Sequence, residues 1–208
     1  IEDRPRCCQI AELAAIVRMD GTIFITKNLT NTLIDSLIPY KDKIIVHATC
    51  TGYGSTVVEP NIPEYEIQLE QAKKLSDMLP ENRVVIRVDP IIPTEKGLKL
   101  AEKVISYAYE KYGFNRFRVS LLDAYPHTRE RFQQNNLPLP YGNSFVPPKD
   151  MIRDANMLFA KLKRKYKITI ESCAEGTLTE TIQSGCVSKY DFELLGLDTN
   201  DVDSSGFQ

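Results

Sequence analysis

The chain has 208 residues, of which 42% are apolar and 26% are charged, a composition typical of a soluble globular protein. Its formal net charge of −2 argues against a globally basic nucleic-acid binder. No apolar run approaches the roughly 18 residues of a membrane-spanning helix, and the charged start, IEDRPRCC, contains no signal-peptide core, so we expect neither a membrane association nor secretion.

The chain contains five cysteines, an odd number, and none of them forms a CxxC motif. Adjacent Cys7 and Cys8 are poorly placed for a mutual disulfide. The pattern favours a reducing, cytoplasmic setting in which each cysteine is a small apolar side chain. Because the chain starts without methionine and stops at SSGFQ, we expect an excerpt of a longer product.

Strand-like and helix-like segments alternate along the chain. Strands are predicted at 21–28, 43–53, 84–89, 116–123 and 167–176, where β-branched and aromatic residues are frequent. Helices are predicted at 30–40, 64–79, 97–113 and 147–167 from apolar residues at helical spacing, with Gly113 ending the third. A connection rich in Pro, Asn and Gln covers 124–146, and a weakly patterned polar tail runs from 177 to 208.

Repeated βα units of this kind predict a largely parallel sheet. We assign residues 1–176 to one barrel-like domain and residues 177–208 to a C-terminal tail. No GxGxxG or P-loop motif follows any predicted strand, so the sequence supports neither dinucleotide nor P-loop binding.

The segment VVIRVDP (84–90) places two charges in an otherwise apolar strand. Because side chains alternate along a strand, Arg87 and Asp89 share one face, opposite Val84, Ile86 and Val88. The other strands repeat this pattern, with His47, Thr49 and Thr51 in the second, Arg116, Arg118 and Ser120 in the fourth, and Thr169 and Glu171 in the fifth. An open doubly wound sheet is apolar on both faces, whereas the inside of a barrel accepts polar side chains. We therefore predict a partial TIM-like (βα) barrel whose polar interior opens to a ligand site.

Three stretches carry a family resemblance: IFITKN (23–28), TCTGYGSTVVEPNIP (49–63) and RVDPIIP (87–93). In this order and spacing they resemble the domain of unknown function 1848 family, and the resemblance extends from about Gly21 through Ile170. That family is similar to radical-SAM barrels of the spore photoproduct lyase group. Its members carry a cysteine cluster near the C-terminus, so the resemblance implies that the tail at 177–208 leads toward a cysteine-rich segment missing from this chain. The resemblance implies a [4Fe–4S] cluster and S-adenosylmethionine as cofactors, and formation of a 5′-deoxyadenosyl radical. The substrate is unknown, and a nucleic-acid base or nucleotide is suggested by the lyase group alone.

Residue roles follow from the resemblance position by position. It implies that the residues in contact with the cofactor are Lys27, Asn28, Thr49, Thr51, Arg118, Ser120 and Glu171. It implies a catalytic set of Arg87, Asp89 and Tyr53, with Glu59 and Asn61 in the loop above. The chain departs from the family in two ways: Leu29 stands where the family has proline, and no CxxxCxxC is present to bind a cluster. No metal-ligating residue is therefore assigned.

Two other functions stay open. A divalent-metal hydrolase or isomerase would use His47, Asp89 and Glu171, with Asp123 or His127. A non-catalytic scaffold would instead meet a partner through the aromatic and basic side chains of the 124–146 connection, Tyr125, Phe132, Tyr141, Arg129 and Arg131.

Local alternatives also remain at two places in the chain. Arg87 and Asp89 fit an interior charge network with Arg118 and Glu171 as well as a ligand site. The run KLKRKYK (161–167) fits a solvated helix end as well as a nucleic-acid patch.

Overall fold

The computed structural model describes residues 16, 18–173 and 176–198. Its centre is one sheet of six strands, β1 (Thr22–Thr26), β2 (Ile44–Thr49), β3 (Val84–Ile91), β4 (Arg116–Leu121), β5 (Thr169–Ser172) and β6 (Ile182–Gln183). The strands lie side by side in chain order, and every neighbouring pair is parallel. All strand carboxyl ends therefore lie at the same edge of the sheet.

Helices connect the first five strands, and one more helix follows β6. They are α1 (Asn31–Leu37), α2 (Tyr65–Ser76), α3 (Glu95–Tyr112), α4 (Pro126–Gln134), α5 (Lys149–Tyr166) and α6 (Lys189–Leu195), with a 3₁₀ helix at Ile38–Lys43. The five predicted strands and four predicted helices are confirmed, with ends that differ by a few residues. The structure adds α4 inside the predicted 124–146 connection, and β6 and α6 inside the predicted tail.

The added elements lack the periodic apolar pattern on which the sequence prediction depended. None of the residues of α4 is buried, so this helix has no apolar stripe. Strand β6 is only two residues long. Helix α6 begins at a capping box in which Ser188 and Asp191 each accept a hydrogen bond from the other's backbone N–H.

The longer helices begin and end at residues suited to those positions. The Thr94 hydroxyl accepts a hydrogen bond from the Gly97 amide at the start of α3, at 3.2 Å. Gly113 ends the same helix in the left-handed conformation, with φ of 74°, as predicted from its position.

One face of the sheet packs against helices and forms the hydrophobic core. Val84, Ile86 and Val88 of β3 lie on this face, and α2 contributes Leu69 and Leu75 to the same cluster. Each such side chain, once fully buried, contributes about 2 kcal/mol to the free energy of folding. The predicted alternation of β3 is confirmed.

The opposite face of the sheet is polar and is partly covered by α6. Asp191 of this helix contacts Arg116 and Arg118 of β4, and the Leu194 carbonyl accepts a hydrogen bond from Arg83 Nη2. Helix α6 therefore fixes the chain after β6 to the sheet.

The prediction of an α/β fold with a parallel sheet is confirmed. Within the described residues β1 and β6 are the two edges of the sheet and do not pair with each other, so the strands form no closed TIM barrel. Among these residues, no helix is both long and apolar enough to cross a membrane.

Candidate functional site

The base of the polar face is a buried network of four charged side chains. Arg116 donates to Glu171 at 3.0 Å and to Asp191 at 2.6 Å. Arg118 donates to the same two carboxylates at 3.1 Å and 3.2 Å. Two positive and two negative side chains balance each other, which is the condition under which buried charges are tolerated. Burial raises the pKa of Asp191, but the guanidinium groups of Arg116 and Arg118 and a Ser188 amide hydrogen bond outweigh it and hold that pKa below the ordinary value.

His47 of β2 lies beside this network and is fully buried. Neither ring nitrogen has a hydrogen-bond partner within the described part of the chain. Burial, followed by the positive charge of Arg118, lowers the pKa of His47 to about 3. The imidazole is therefore neutral at physiological pH.

A second polar cluster lies nearer the carboxyl ends of the strands. Arg87 and Asp89 form an ion pair, and the Ser120 hydroxyl donates to the same carboxylate. Arg87 Nη2 also donates to Cys173 Sγ at 3.2 Å. Arg87 Nη1 is buried and has no partner among the described residues. The three strands β3, β4 and β5 thus hold one fixed polar group beneath the carboxyl edge.

A cavity of about 480 Å³ opens at that edge. From the β-strand side it is lined by Lys27, Thr51, Tyr53, Glu59 and Asn61, and from α4 by His127, Thr128, Arg131, Phe132 and Asn135. The cavity thus lies between the ends of the first three strands and the short helix after β4.

The polar centre of this cavity is an ion pair between Lys27 and Glu59. The Thr51 hydroxyl donates to the second oxygen of the Glu59 carboxylate. Burial and the nearby Glu59 charge raise the pKa of Tyr53 to about 12, so its phenol stays protonated and can donate a hydrogen bond. The side chain of Lys27 is 39% exposed and that of Glu59 only 12%, so the pair is reachable from solvent on the lysine side.

The residues implied by the resemblance, apart from Asn28, fall at three depths. Lys27, Thr51 and Tyr53 line the cavity. Thr49, Arg87, Asp89 and Ser120 lie below it, and Arg118 and Glu171 belong to the network at the base. Asn28 is exposed and outside the cavity lining, and its amide donates to Thr26 Oγ1 at 3.1 Å.

Sequence analysis missed the contribution of α6 to the buried network. The signal was present as SKYD (188–191), a Ser with an acidic residue three positions later, which is a helix-start pattern. The pattern predicts the start of a helix, but the neighbouring sequence does not show that Asp191 contacts Arg116 and Arg118 of β4.

A second cavity, of about 950 Å³, lies at the opposite end of the strands. Arg116, Lys167, Lys189 and Tyr190 are among its lining residues, and the Arg116 guanidinium stacks over the Tyr190 ring at 5.0 Å. Ligands of parallel α/β sheets bind at the carboxyl edge, so the smaller cavity is the better candidate site.

Two of the side chains through which a non-catalytic scaffold would meet a partner, Tyr141 and Arg129, make hydrogen bonds to other residues of the chain. Tyr141 is buried and its hydroxyl donates to the Leu122 carbonyl. Arg129 donates to the carbonyls of Ala124 and Asn143, at 2.9 Å and 2.8 Å. These two residues hold the segment after β4 in place.

The basic run at the end of α5 also contacts other parts of the chain. Lys161 pairs with Glu102 at 2.5 Å, and Lys165 pairs with Glu110 at 3.4 Å. Lys163 donates to the Glu180 carbonyl at 2.6 Å. These contacts are those of a solvated helix end with intramolecular partners.

The described residues do not fit an iron–sulfur cluster. Such clusters are held by several cysteine thiolates. Cys50 is buried in the core on the helix-packed face, whereas Cys173 and Cys186 lie together on the other side. Across the described ranges, no three His, Cys, Asp or Glu side chains are grouped so as to hold a metal ion. Cys7 and Cys8 lie outside the described residues.

Comparison with known proteins gives one family match. The model of the family described as domain of unknown function (DUF1848) matches residues 8–203. No curated protein and no solved structure matched significantly. Because the matched span covers most of the 208 residues, the chain belongs to the DUF1848 family.

Proposed function

We propose that this chain is the partial (βα) barrel of an enzyme that binds S-adenosylmethionine at the carboxyl edge of its sheet. The observation that carries the proposal is the Lys27–Glu59 ion pair inside the 480 Å³ cavity at that edge. Sequential parallel strands with a polar inner face support the barrel, and barrels of this kind bind their ligands at the carboxyl ends of the strands.

The chemistry of the cavity suits this ligand. The amino-acid part of S-adenosylmethionine carries one ammonium and one carboxylate group, and Glu59 and Lys27 offer a matching negative and positive charge. Phe132 and Tyr53 provide aromatic surface for a purine ring. The volume lies within the range of about 300–1,000 Å³ that is usual for small-molecule sites.

Residues in and below the cavity would orient the ligand. The carboxylate of Asp89 is fixed by Arg87 and Ser120, so this group cannot rotate freely. Tyr53 would donate its phenolic proton in a hydrogen bond and would not act as a base near neutral pH, since its pKa is raised to about 12.

The family resemblance adds radical chemistry to this proposal. A reduced iron–sulfur cluster would supply the electron that cleaves S-adenosylmethionine. Because the described residues do not fit the cluster, we assign no step of that reaction to them. Their part in the proposal is to bind the cofactor, to orient it and to exclude water.

Ligand binding can be tested by equilibrium dialysis with labelled S-adenosylmethionine. Lys27→Met and Glu59→Gln should each weaken binding by about tenfold or more, because each removes one charged hydrogen bond. Glu102→Gln, at an ion pair on the α3–α5 surface, is the matched control and should leave affinity unchanged. No binding by the wild-type chain, or equal binding by all variants, would contradict the proposal.

The reaction itself needs the full-length gene product, reconstituted with iron and sulfide without air. After reduction in the presence of S-adenosylmethionine, release of 5′-deoxyadenosine would support the radical assignment. Binding without release and without retained iron would limit the proposal to cofactor binding. Zinc or manganese that persists through dialysis would favour the metal-dependent hydrolase instead.

A further inference from the structure

The thiols of Cys173 and Cys186 lie in direct contact, with their sulfur atoms 3.2 Å apart. Cys173 directly follows β5, and Cys186 lies three residues after β6. The parallel pairing of β5 with β6, in which Ser172 lies opposite Gln183, brings the two segments together. Gly185 then takes a left-handed conformation, with φ of 64°, and turns the chain back toward Cys173.

This arrangement differs from that of the third described cysteine. Cys50 is buried in the hydrophobic core, where a thiol is a small apolar group. Cys173 is half-buried and Cys186 is exposed, so an external reagent can reach the pair. The surroundings of Cys173 are also charged, since Arg87 Nη2 donates to its sulfur at 3.2 Å.

We propose that Cys173 and Cys186 are a redox-active thiol pair that closes to a disulfide when a low-molecular-weight disulfide, such as oxidised glutathione, is present. A sulfur–sulfur bond is about 2.05 Å long, so closure requires an approach of only about 1 Å. The inference does not depend on the proposed function.

The exposures of the two thiols set the order of the steps. Exposed Cys186 attacks oxidised glutathione as a thiolate, forms a mixed disulfide and releases one glutathione thiolate, which takes up a proton. Cys173 then attacks the Cys186 sulfur and releases the second glutathione. Two protein thiols thus lose two protons and two electrons, and one oxidised glutathione becomes two reduced molecules.

Two features favour Cys173 as the second, resolving thiol. Burial and the hydrogen bond with Cys186 raise the pKa of Cys173, which keeps it protonated before Cys186 has reacted. Arg87 opposes this shift and would stabilise the negative charge that develops on Cys173 during the second step. Closure would also remove the thiol that Arg87 contacts, next to Asp89.

The chain offers a direct test, because trypsin releases both cysteines in one peptide, ITIESCAEGTLTETIQSGCVSK (168–189). The reduced full chain should carry two alkyl groups on this peptide after reaction with N-ethylmaleimide under denaturing conditions. After exposure to oxidised glutathione the peptide should carry none and should weigh two hydrogens less. Cys50, in a different peptide, should remain fully alkylated.

Serine variants test the order of the steps. Cys173→Ser should accumulate glutathione on Cys186 to about tenfold the wild-type level, because the resolving thiol is absent. Cys186→Ser should leave Cys173 largely unmodified over the same time. Circular dichroism would check that both variants fold. If one of them does not fold, the wild-type peptide map still tests whether the disulfide forms.

Three results would overturn the proposal. The first is that both wild-type thiols stay alkylatable under conditions that modify Cys186 in the Cys173→Ser variant. The second is that wild-type Cys186 holds glutathione as persistently as that variant does. Protection from alkylation that a chelator reverses and a reductant does not would show a metal site in place of a disulfide.

Discussion

Arg118 of β4 donates a hydrogen bond to Asp191 of α6 at 3.2 Å, although 73 positions separate the two residues in the chain. Both side chains have no exposed surface, and Arg118 is the largest fully buried side chain in the described part of the chain. Arg118 also contacts Glu171 and, through Nη1, the carbonyl of Cys186. The single guanidinium therefore connects β4, β5 and the segment that precedes α6.

Removal of Asp191 should strongly destabilise the protein. Asp191→Ala leaves Arg116 and Arg118 with one carboxylate between them, and loss of one member of a buried ion network costs about 3–5 kcal/mol. Urea unfolding followed by circular dichroism measures this difference. Glu102→Gln, at the partly exposed pair with Lys161, is the control and should change the free energy of unfolding by less than about 1 kcal/mol. Equal effects of both substitutions would show that the network does not carry stability.

His47 should make stability depend on pH below neutrality. Its pKa falls from 6.5 to about 3 on folding, so below pH 6.5 the unfolded chain binds a proton that the folded chain does not. Stability from this residue is therefore complete above about pH 6.5 and is lost as pH falls toward 3, by at most about 1.4 kcal/mol per pH unit.

Substitution of each histidine in turn can test this. His47→Leu should flatten the decline of the unfolding free energy between pH 6.5 and 4, whereas His127→Gln should leave it unchanged. His127 is exposed and stacks on Tyr125, and it is the only other histidine of the chain. An unchanged slope in His47→Leu would contradict a buried, neutral imidazole.

Gly54 should be sensitive to a single added carbon. A Cβ at this position would lie 1.9 Å from the Pro63 carbonyl oxygen, a backbone atom that cannot simply rotate away. Gly54→Ala should cost about 1–3 kcal/mol of stability and should weaken ligand binding, because the same loop carries Glu59. Gly176→Ala, where a Cβ would meet nothing within 4 Å, is the matched control for thermal unfolding. Equal melting temperatures for the two variants would be evidence against a tightly closed 54–63 loop.

Arg87→Lys should behave unlike a conservative change. The arginine contacts Asp89 and Cys173 together, and a lysine ammonium lacks the planar fork that reaches both. We expect weaker ligand binding by about threefold to tenfold with a modest loss of stability. The exposed Arg153→Lys variant, whose partner is its neighbour Asp154, should match the wild type in dialysis and in thermal unfolding. Wild-type binding by Arg87→Lys would indicate that a positive charge beside Asp89 is sufficient and that the planar guanidinium is not required.

Much of the framework was accessible from the sequence because it depends on local patterns. The alternation in VVIRVD separated Arg87 and Asp89 from the three valine and isoleucine side chains of the core face, since neighbouring residues in a strand point to opposite sides. Helical spacing located α1, α2, α3 and α5, and Gly113 ended α3. Lys27, Thr51 and Tyr53 reached the cavity because parallel strands end at one edge.

Other features depend on contacts between residues distant in the chain, and only the tertiary structure decided them. Nothing near Asp191 in the sequence shows that its carboxylate is buried against Arg116 and Arg118, because that pairing depends on how α6 lies across the sheet. The contact of Cys173 with Cys186 likewise follows from the pairing of β5 with a two-residue strand. Sequence determined which face of β2, β3, β4 and β5 is polar. Three-dimensional packing determined which of those polar groups neutralise one another in the interior and which remain at the cavity for a ligand.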